Sequence, residues 1–333
     1  MTNRTEYNSR ILVVGATGHV GSQIVKALLR RGWPVRALVR KHDAVIHGAE
    51  GNLDYAVGDL RDKESLERAL QDIDIVVSTA NSIIPAGKTL SVKSISEDGY
   101  ENLISACEAA GVRQFVQSSV PTYKGDKTIP ELAGKRVVET RLTRSPIATT
   151  IVRNPAFTDV WMVMTGAKQA MGNDPHATTR RPFGFMKLWQ NLTGNLVVKH
   201  GFLLAPGGKK HGAPLITTRD VAEMMVGTVG RQDAFNRIIE AGGPEWLTWG
   251  DVAELLSQKT GRKVRTLTMP GWFAALGQVM LQPFMPSAGN VLGLVKLVAS
   301  YQPHWENPPV VAEFDLPVQM TVSDYLDKNW QAT

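Results

Sequence analysis

Short unbroken apolar runs punctuate the first half of the chain, and stretches of helical spacing separate several of them. Ile11–Val14 is such a run and reads as a buried strand. "SQIVKALLRRG" follows with helical spacing and ends on Gly32, the residue type that closes helices. "VRALV", "LDYAVGDLRD", "IDIVVSTAN", "RQFVQSS" and "ATTIVRNP" continue as strands. "SISEDGYENLISACEAAG" reads as a helix opened by a Ser94-x-x-Glu97 capping box. Strands alternating with helices predict a doubly wound parallel Rossmann sheet, an α/β fold, over residues 1–155.

After Pro155 the alternation stops. "AFTDVWMVMTGAKQAM" and "FGFMKLWQNL" gather methionine and aromatic residues, so a smaller, mostly helical substrate-binding or lid region is expected over 156–333. A strand near 214–218 is allowed to return to the first domain. "RDVAEMMVG" and "TWGDVAELLSQKTG" read as surface helices. Residues 266–295 contain no charge, but Pro270, Pro283 and Pro286 break the run, and a membrane span needs about 20 uninterrupted apolar residues. Two short helices lidding a cleft are expected there, with an oligomer contact or a membrane-surface helix as alternatives.

Composition narrows the setting. The 333 residues are 43% hydrophobic and 20% charged, with a single cysteine, Cys107, which excludes an internal disulfide and a cysteine metal site. The seven histidines are scattered, so no metal is expected. The opening "MTNRTEYNSR" lacks an apolar core, so no secretory signal is expected, and a reducing cytoplasm fits. Net charge is +6 without long blocks of one sign. The basic spots "TRR" at 179–181 and "GGKKHG" at 207–212 lack interleaved aromatics and read as solvated loops, not a nucleic-acid surface.

Candidate chemistry begins at the first turn. Gly15, Gly18 and Gly21 form G-x-x-G-x-x-G between a strand and a helix, with Thr17, His19 and Val20 between them. Such a turn brings backbone close to a dinucleotide pyrophosphate, which rests on the helix N-terminus. His19 is expected to serve through its backbone more than its ring. At the end of the second strand, where NAD-selective sites carry Asp or Glu, stand Arg40 and Lys41. Paired guanidinium donors suit the 2′-phosphate of NADPH.

The string GATGxxG, the "GDL" after the third strand, "AGVRQFVQSS" and "TTIVRNPAF" resemble the atypical, NmrA-like or isoflavone-reductase-like short-chain dehydrogenase/reductases over about residues 10–160. The similarity continues more weakly through "APLITTRDVAEMM" and "EAGGPEWLTWGDVAELLSQKTGRKV". The resemblance implies that Asp59 and Leu60 hold the adenine. It also implies that Thr79, Ala80 and Asn81 flank the inner ribose and that Pro155 to Phe157 border the nicotinamide. Ser118 and Ser119 are expected to contact cofactor.

The family's usual tyrosine–lysine pair sits one helical turn apart. "YKGDK" has that spacing at Tyr123 and Lys127, yet Pro121, Gly125, Asp126 and Pro130 signal a turn. A helix is better started by a Thr128–Glu131 capping box with Pro130 in its first turn. In that frame the family's lysine is Lys135, its tyrosine position is Glu131 and its serine position is Val120. Lys135 is the expected ribose ligand and proton donor; Tyr123 keeps a minor claim as a donor from a loop.

The expected activity is NADPH-dependent reduction of a carbonyl or activated alkene in a hydrophobic substrate: an enone, quinone, aromatic ketone or polyketide-like compound. Val120, Phe157, Trp161 and Met162 are the candidate substrate contacts. A dinucleotide-binding sensor or assembly protein without turnover, and a redox-neutral epimerase or dehydratase, are the alternatives. A monomer or homodimer is expected, with no nucleic-acid partner and no transmembrane segment.

Overall fold

The computed structural model describes residues 9–81, 93–182, 184–300 and 310–331; the polar opening, residues 1–8, lies outside them. Seven parallel strands form one sheet: β1 (Ile11–Val14), β2 (Val35–Val39), β3 (Leu53–Val57), β4 (Ile75–Ser78), β5 (Gln114–Ser119), β6 (Ala148–Arg153) and β9 (Arg237–Glu240). Their order is β3-β2-β1-β4-β5-β6-β9, the doubly wound arrangement with its switch between β1 and β4. β7 (Phe202–Pro206) and β11 (Arg265–Met269) pair separately, as do β8 (Gly212–Ala213) and β10 (Leu247–Thr248). Residues 214–218 supply only a single bridge, Ile216 to Phe157, so the strand that returns to the sheet is β9.

Helices α1 (His19–Arg30) and α7 (Thr218–Gly227) cover one face of the sheet. α2 (Lys63–Ala69), α3 (Tyr100–Ala109) and α4 (Pro130–Thr143) cover the other. α3 is preceded by a wide π-type turn, Lys93–Gly99, in place of the first turn expected from Ser94 and Glu97. The remaining helices are α5 (Thr158–Met164), α6 (Gly184–Thr193), α8 (Trp249–Thr260), α9 (Gly271–Leu281), α10 (Pro286–Ser300), α11 (Val310–Glu313) and α12 (Val322–Asn329). α5, α6, α8, α10 and α12 enclose a second core around Trp161, Met162, Trp249 and Leu256. Among the described residues no helix is long and apolar enough to cross a membrane.

α7 is not a surface helix. Val221, Ala222, Met224, Met225 and Val226 are buried, and even Glu223 is, because Arg30, the last residue of α1, and Arg31 after it each donate to it at 2.7 Å. Two cations neutralise the charge that made the segment look solvated.

The approach of α1 to β1 depends on glycine. A Cβ on Gly21 would lie 2.0 Å from the Gly15 carbonyl oxygen, a backbone atom that has no room to move. Gly21→Ala is therefore expected to cost at least about 1–3 kcal/mol of stability; chemical denaturation of the two proteins measures it.

Candidate functional site

The C-terminal edge of the sheet collects the predicted cofactor residues. Gly15 has φ +83°, and a Cβ there would meet Thr79 Oγ1 at 2.9 Å and the Ala80 nitrogen at 3.0 Å. The turn therefore lies bare against the end of β4. α1 opens on Gly18 without a side-chain cap and without an acidic residue in its first turn. Its first amides and the positive end of its dipole are left for an anion, so the residues present fit a pyrophosphate. Asn81, Arg40 and Lys41 are exposed at the same edge.

Asp59 is already engaged. Arg61 donates to it through Nε at 2.8 Å and Nη2 at 2.7 Å, and this fork holds the carboxyl below its usual range. The Leu60 side chain is buried and its carbonyl accepts from Asn102 at 3.0 Å.

Tyr100, which no motif singled out, supports this edge from below. Its hydroxyl donates to the Ala80 carbonyl at 2.9 Å and receives Gln117 at 3.1 Å, with Ser78 Oγ at 2.8 Å. Burial pushes its pKa up to about 12, so it stays a neutral positioning group. The segment 173–181 reaches the turn from the other side. His176 Nδ1 lies 3.2 Å from the Thr17 carbonyl, which can only accept, while His176 Nε2 accepts from the His47 amide at 3.1 Å. That pair fixes a neutral Nδ1–H imidazole, and burial keeps its pKa low. Arg181 also donates to the Thr17 carbonyl, at 3.3 Å, so "TRR" is a strap on the turn and not merely a solvated loop.

The α4 side of the edge is organised around Glu139, which is buried. It accepts from Ser119 Oγ at 2.6 Å, from Arg136 at 2.6 Å and from Arg153 at 2.7 and 3.0 Å. Ser119 is thereby turned into the α4 network, and only Ser118 keeps its hydroxyl near the edge, accepting from Asn154 at 3.0 Å. Arg136 also donates to the carbonyls of Val120 and Pro121 and pairs with Asp126, stapling the loop after β5 onto α4. One residue before it, Lys135 is buried and donates to the Ser118 carbonyl at 3.3 Å. Burial lowers its pKa against the pull of Glu131 and Glu139.

Tyr123 and Lys127 share no helix. Asp126 N donates to the Tyr123 carbonyl at 3.1 Å, and Gly125 has φ +86°, so "YKGDK" is a turn. The expected Thr128–Glu131 capping box is also not made. Ile129 is the N-cap, Thr128 Oγ1 donates back to Gly125 at 2.7 Å, and the Glu131 side chain is buried.

With this geometry in place, the similarities are informative. Residues 7–304 match the model of the NmrA-like family. The chain belongs to the NmrA-like family. Photosystem II assembly factor Ycf39 of Trieres chinensis is 34% identical over 147 residues, covering 44% of this chain and 46% of that protein. Sterol demethylase protein B of Methylococcus capsulatus is 37% identical over 109 residues, covering 32% and 33%. The chain thus spans less than half the length of these curated relatives. The NADPH complex of Escherichia coli quinone oxidoreductase QOR2 superposes with a TM-score of 0.69 at 17% identity, over 95% of this chain and 98% of that one, a likeness of fold.

The four candidate substrate residues of this NmrA-like chain lie in different packing environments. Met162 is fully buried and Trp161 packs in the C-terminal core, its ring 5.9 Å from that of Trp249. Phe157 is half-buried beside Ile216, while Val120 joins Tyr123, Ile129, Leu132, Leu294 and Leu297 in an apolar cluster beneath α10.

The His19 ring proves as important as its backbone. Its Nε2 lies 2.7 Å from Asp159 Oδ2, which also accepts from Thr218 at 2.8 Å, so the glycine turn is tied to α5 and α7. Burial alone would lower the His19 pKa, but the Asp159 charge and hydrogen bond leave it raised above 6.5. A raised folded-state pKa makes this contribution complete below the unfolded value and progressively lost as pH rises through the folded one. His19→Asn should therefore destabilise by about 3–5 kcal/mol under mildly acidic conditions and by less under alkaline ones; melting curves of both proteins across that range check the sign.

Proposed function

We propose that this NmrA-like protein is an NADPH-dependent reductase acting on the carbonyl or activated alkene of an apolar substrate such as an enone or quinone. The observation that carries the reading is Lys135, a buried lysine of lowered pKa held at the end of β5, beside the strand β6 after which Pro155 to Phe157 would border the nicotinamide. NADPH supplies the hydride. Its pyrophosphate is held by the amides that open α1, and its 2′-phosphate by Arg40 and Lys41. Thr79, Ala80 and Asn81 flank the inner ribose, and Leu60 with Asp59 borders the adenine.

Lys135 binds the ribose hydroxyls and delivers a proton to the oxygen that gains charge as hydride arrives. A lowered pKa makes its ammonium the stronger acid, the direction such a donor requires. Val120 and the cluster around Tyr123 supply an apolar wall, and Tyr123 is a subsidiary donor at most. The relatives lend support: one is named for sterol demethylation and one structural neighbour for quinone reduction.

The Ycf39 relative, with the loss of serine and tyrosine at Val120 and Glu131, favours a second reading as a cofactor-binding assembly protein. NADPH oxidation across a panel of quinones and enones separates the two; binding with no oxidation anywhere on that panel sinks the reductase reading. Lys135→Met should lower turnover about 100-fold or more. The alkaline limb of the rate profile should sit below 10.5, the ordinary lysine value, and vanish in that variant. Arg40→Ala should weaken NADPH binding by about 1.5–3 kcal/mol while leaving NADH nearly unchanged, as read by calorimetry.

A further inference from the structure

α9 is built inside out. Its buried positions are Ala274 and Gln278, the latter donating to the Thr128 carbonyl at 3.4 Å. Its large residues point outward: Trp272, Phe273, Leu276, Val279, Met280 and, in the turn that follows, Phe284 are between 53% and 88% exposed. They recur at helical spacing, so they form one face, where an ordinary surface helix carries charge. The core neither uses these side chains nor explains them. A contiguous apolar face of this kind marks an interaction surface.

Its surroundings identify the partner. No Asp or Glu occurs in residues 255–305, nor in 175–219, whereas both stretches carry Lys and Arg. The exposed Lys209 and Lys210 follow β7, whose end bonds to that of β11 through Gly207 and Met269 at 3.0 Å, two residues before α9 begins. Exposed Lys124 and Lys127 belong to the turn that Gln278 of α9 contacts. The acid in that turn, Asp126, is buried and neutralised by Arg136 at 3.3 Å. The two motifs left without a catalytic role, "YKGDK" and "GGKKHG", thus supply cations on two sides of the apolar face.

We propose that α9 and the α9–α10 turn dock this protein onto an anionic phospholipid surface. Aromatic and aliphatic side chains enter the acyl boundary while the flanking lysines meet the headgroup phosphates. A second copy of the chain fits less well, because a two-fold contact through this face would set cations against cations. The proposal is independent of the reductase reading, since it concerns binding by the protein without cofactor or substrate.

Co-sedimentation with vesicles of phosphatidylcholine plus phosphatidylglycerol, against phosphatidylcholine alone, tests it. Binding is expected to the anionic vesicles, weakening as salt rises, with Trp272 fluorescence quenched by brominated lipid. Trp272→Ser with Phe284→Ser should reduce affinity about tenfold or more. Melting temperature should not change, since neither side chain packs in the core. Lys124→Ala with Lys127→Ala should reduce it several-fold for anionic vesicles only. No binding by the parent protein to anionic vesicles would overturn the proposal. So would binding indifferent to the apolar pair, or light scattering that shows a dimer dissociated by the apolar pair in a protein that ignores vesicles.

Discussion

Everything at the cofactor edge depends on how closely α1 lies against β1. The contact at Gly21 and Gly15 leaves no space for a single methyl group, and the positive φ of Gly15 turns the chain sharply at the strand end. Only then do the first amides of α1 point across the switch between β1 and β4. A larger residue at either glycine would push the helix outward and carry its anion-binding end away from Thr79 and Ala80. The supports on either side, Tyr100 beneath Ala80 and His176 with Arg181 against Thr17, hold that geometry; they do not create it.

At the other end of the same edge, buried charge replaces glycine as the organising constraint. Glu139 draws Ser119, Arg136 and Arg153 onto α4 and so welds β5, β6 and the loop after β5 into one unit. An arrangement of this kind adds uncertain net stability but fixes geometry, because removing any member leaves a buried charge uncompensated. Lys135 inherits the benefit. Burial dominates its electrostatics, so its pKa falls against the pull of Glu131 and Glu139. The family's serine and tyrosine positions, occupied by Val120 and Glu131, no longer offer hydroxyls. Of those three positions, Lys135 alone keeps the residue type that the resemblance assigns to it.

How much of this was legible in the sequence follows from what each signal depends on. The six strands from β1 to β6 and the glycine turn were, chiefly because parallel strands buried on both faces read as unbroken apolar runs; the edge strand β3, with Tyr55 and Val57 exposed, was read from its apolar run alone. β9, with the sequence Arg237-Ile238-Ile239-Glu240, was not: it sits at the sheet edge and carries charge at both ends. α7 looked solvated because its partner cations lie at the end of α1, about 190 residues away, with Glu223 bonded to Arg30 across 193 positions. Periodicity measures polarity along one segment and is silent about distant neutralisation. The same blindness hid the ion pair that the ring of His19 makes with Asp159, on a helix 140 positions further along the chain.

The uncharged run at 266–295 shows the limit most sharply. Its composition allowed a lid, an oligomer contact or a membrane-surface helix, and the structure divides the run into two helices that pack in opposite ways. α10 turns Leu294 and Leu297 inward onto Val120 and Tyr123, so it closes the apolar cluster beside Lys135. α9 lies over α10 and turns its bulk outward, with Leu292 packed where Gly277 leaves room. Hydrophobicity summed along the run cannot distinguish these two helices, since both are apolar on nearly every side. Small and amide side chains at Ala274, Gly277 and Gln278 decide the matter, because they are the positions that permit close packing and leave the large ones to face out. One hairpin therefore covers the Val120–Tyr123 cluster with its inner helix and offers an apolar face with its outer one.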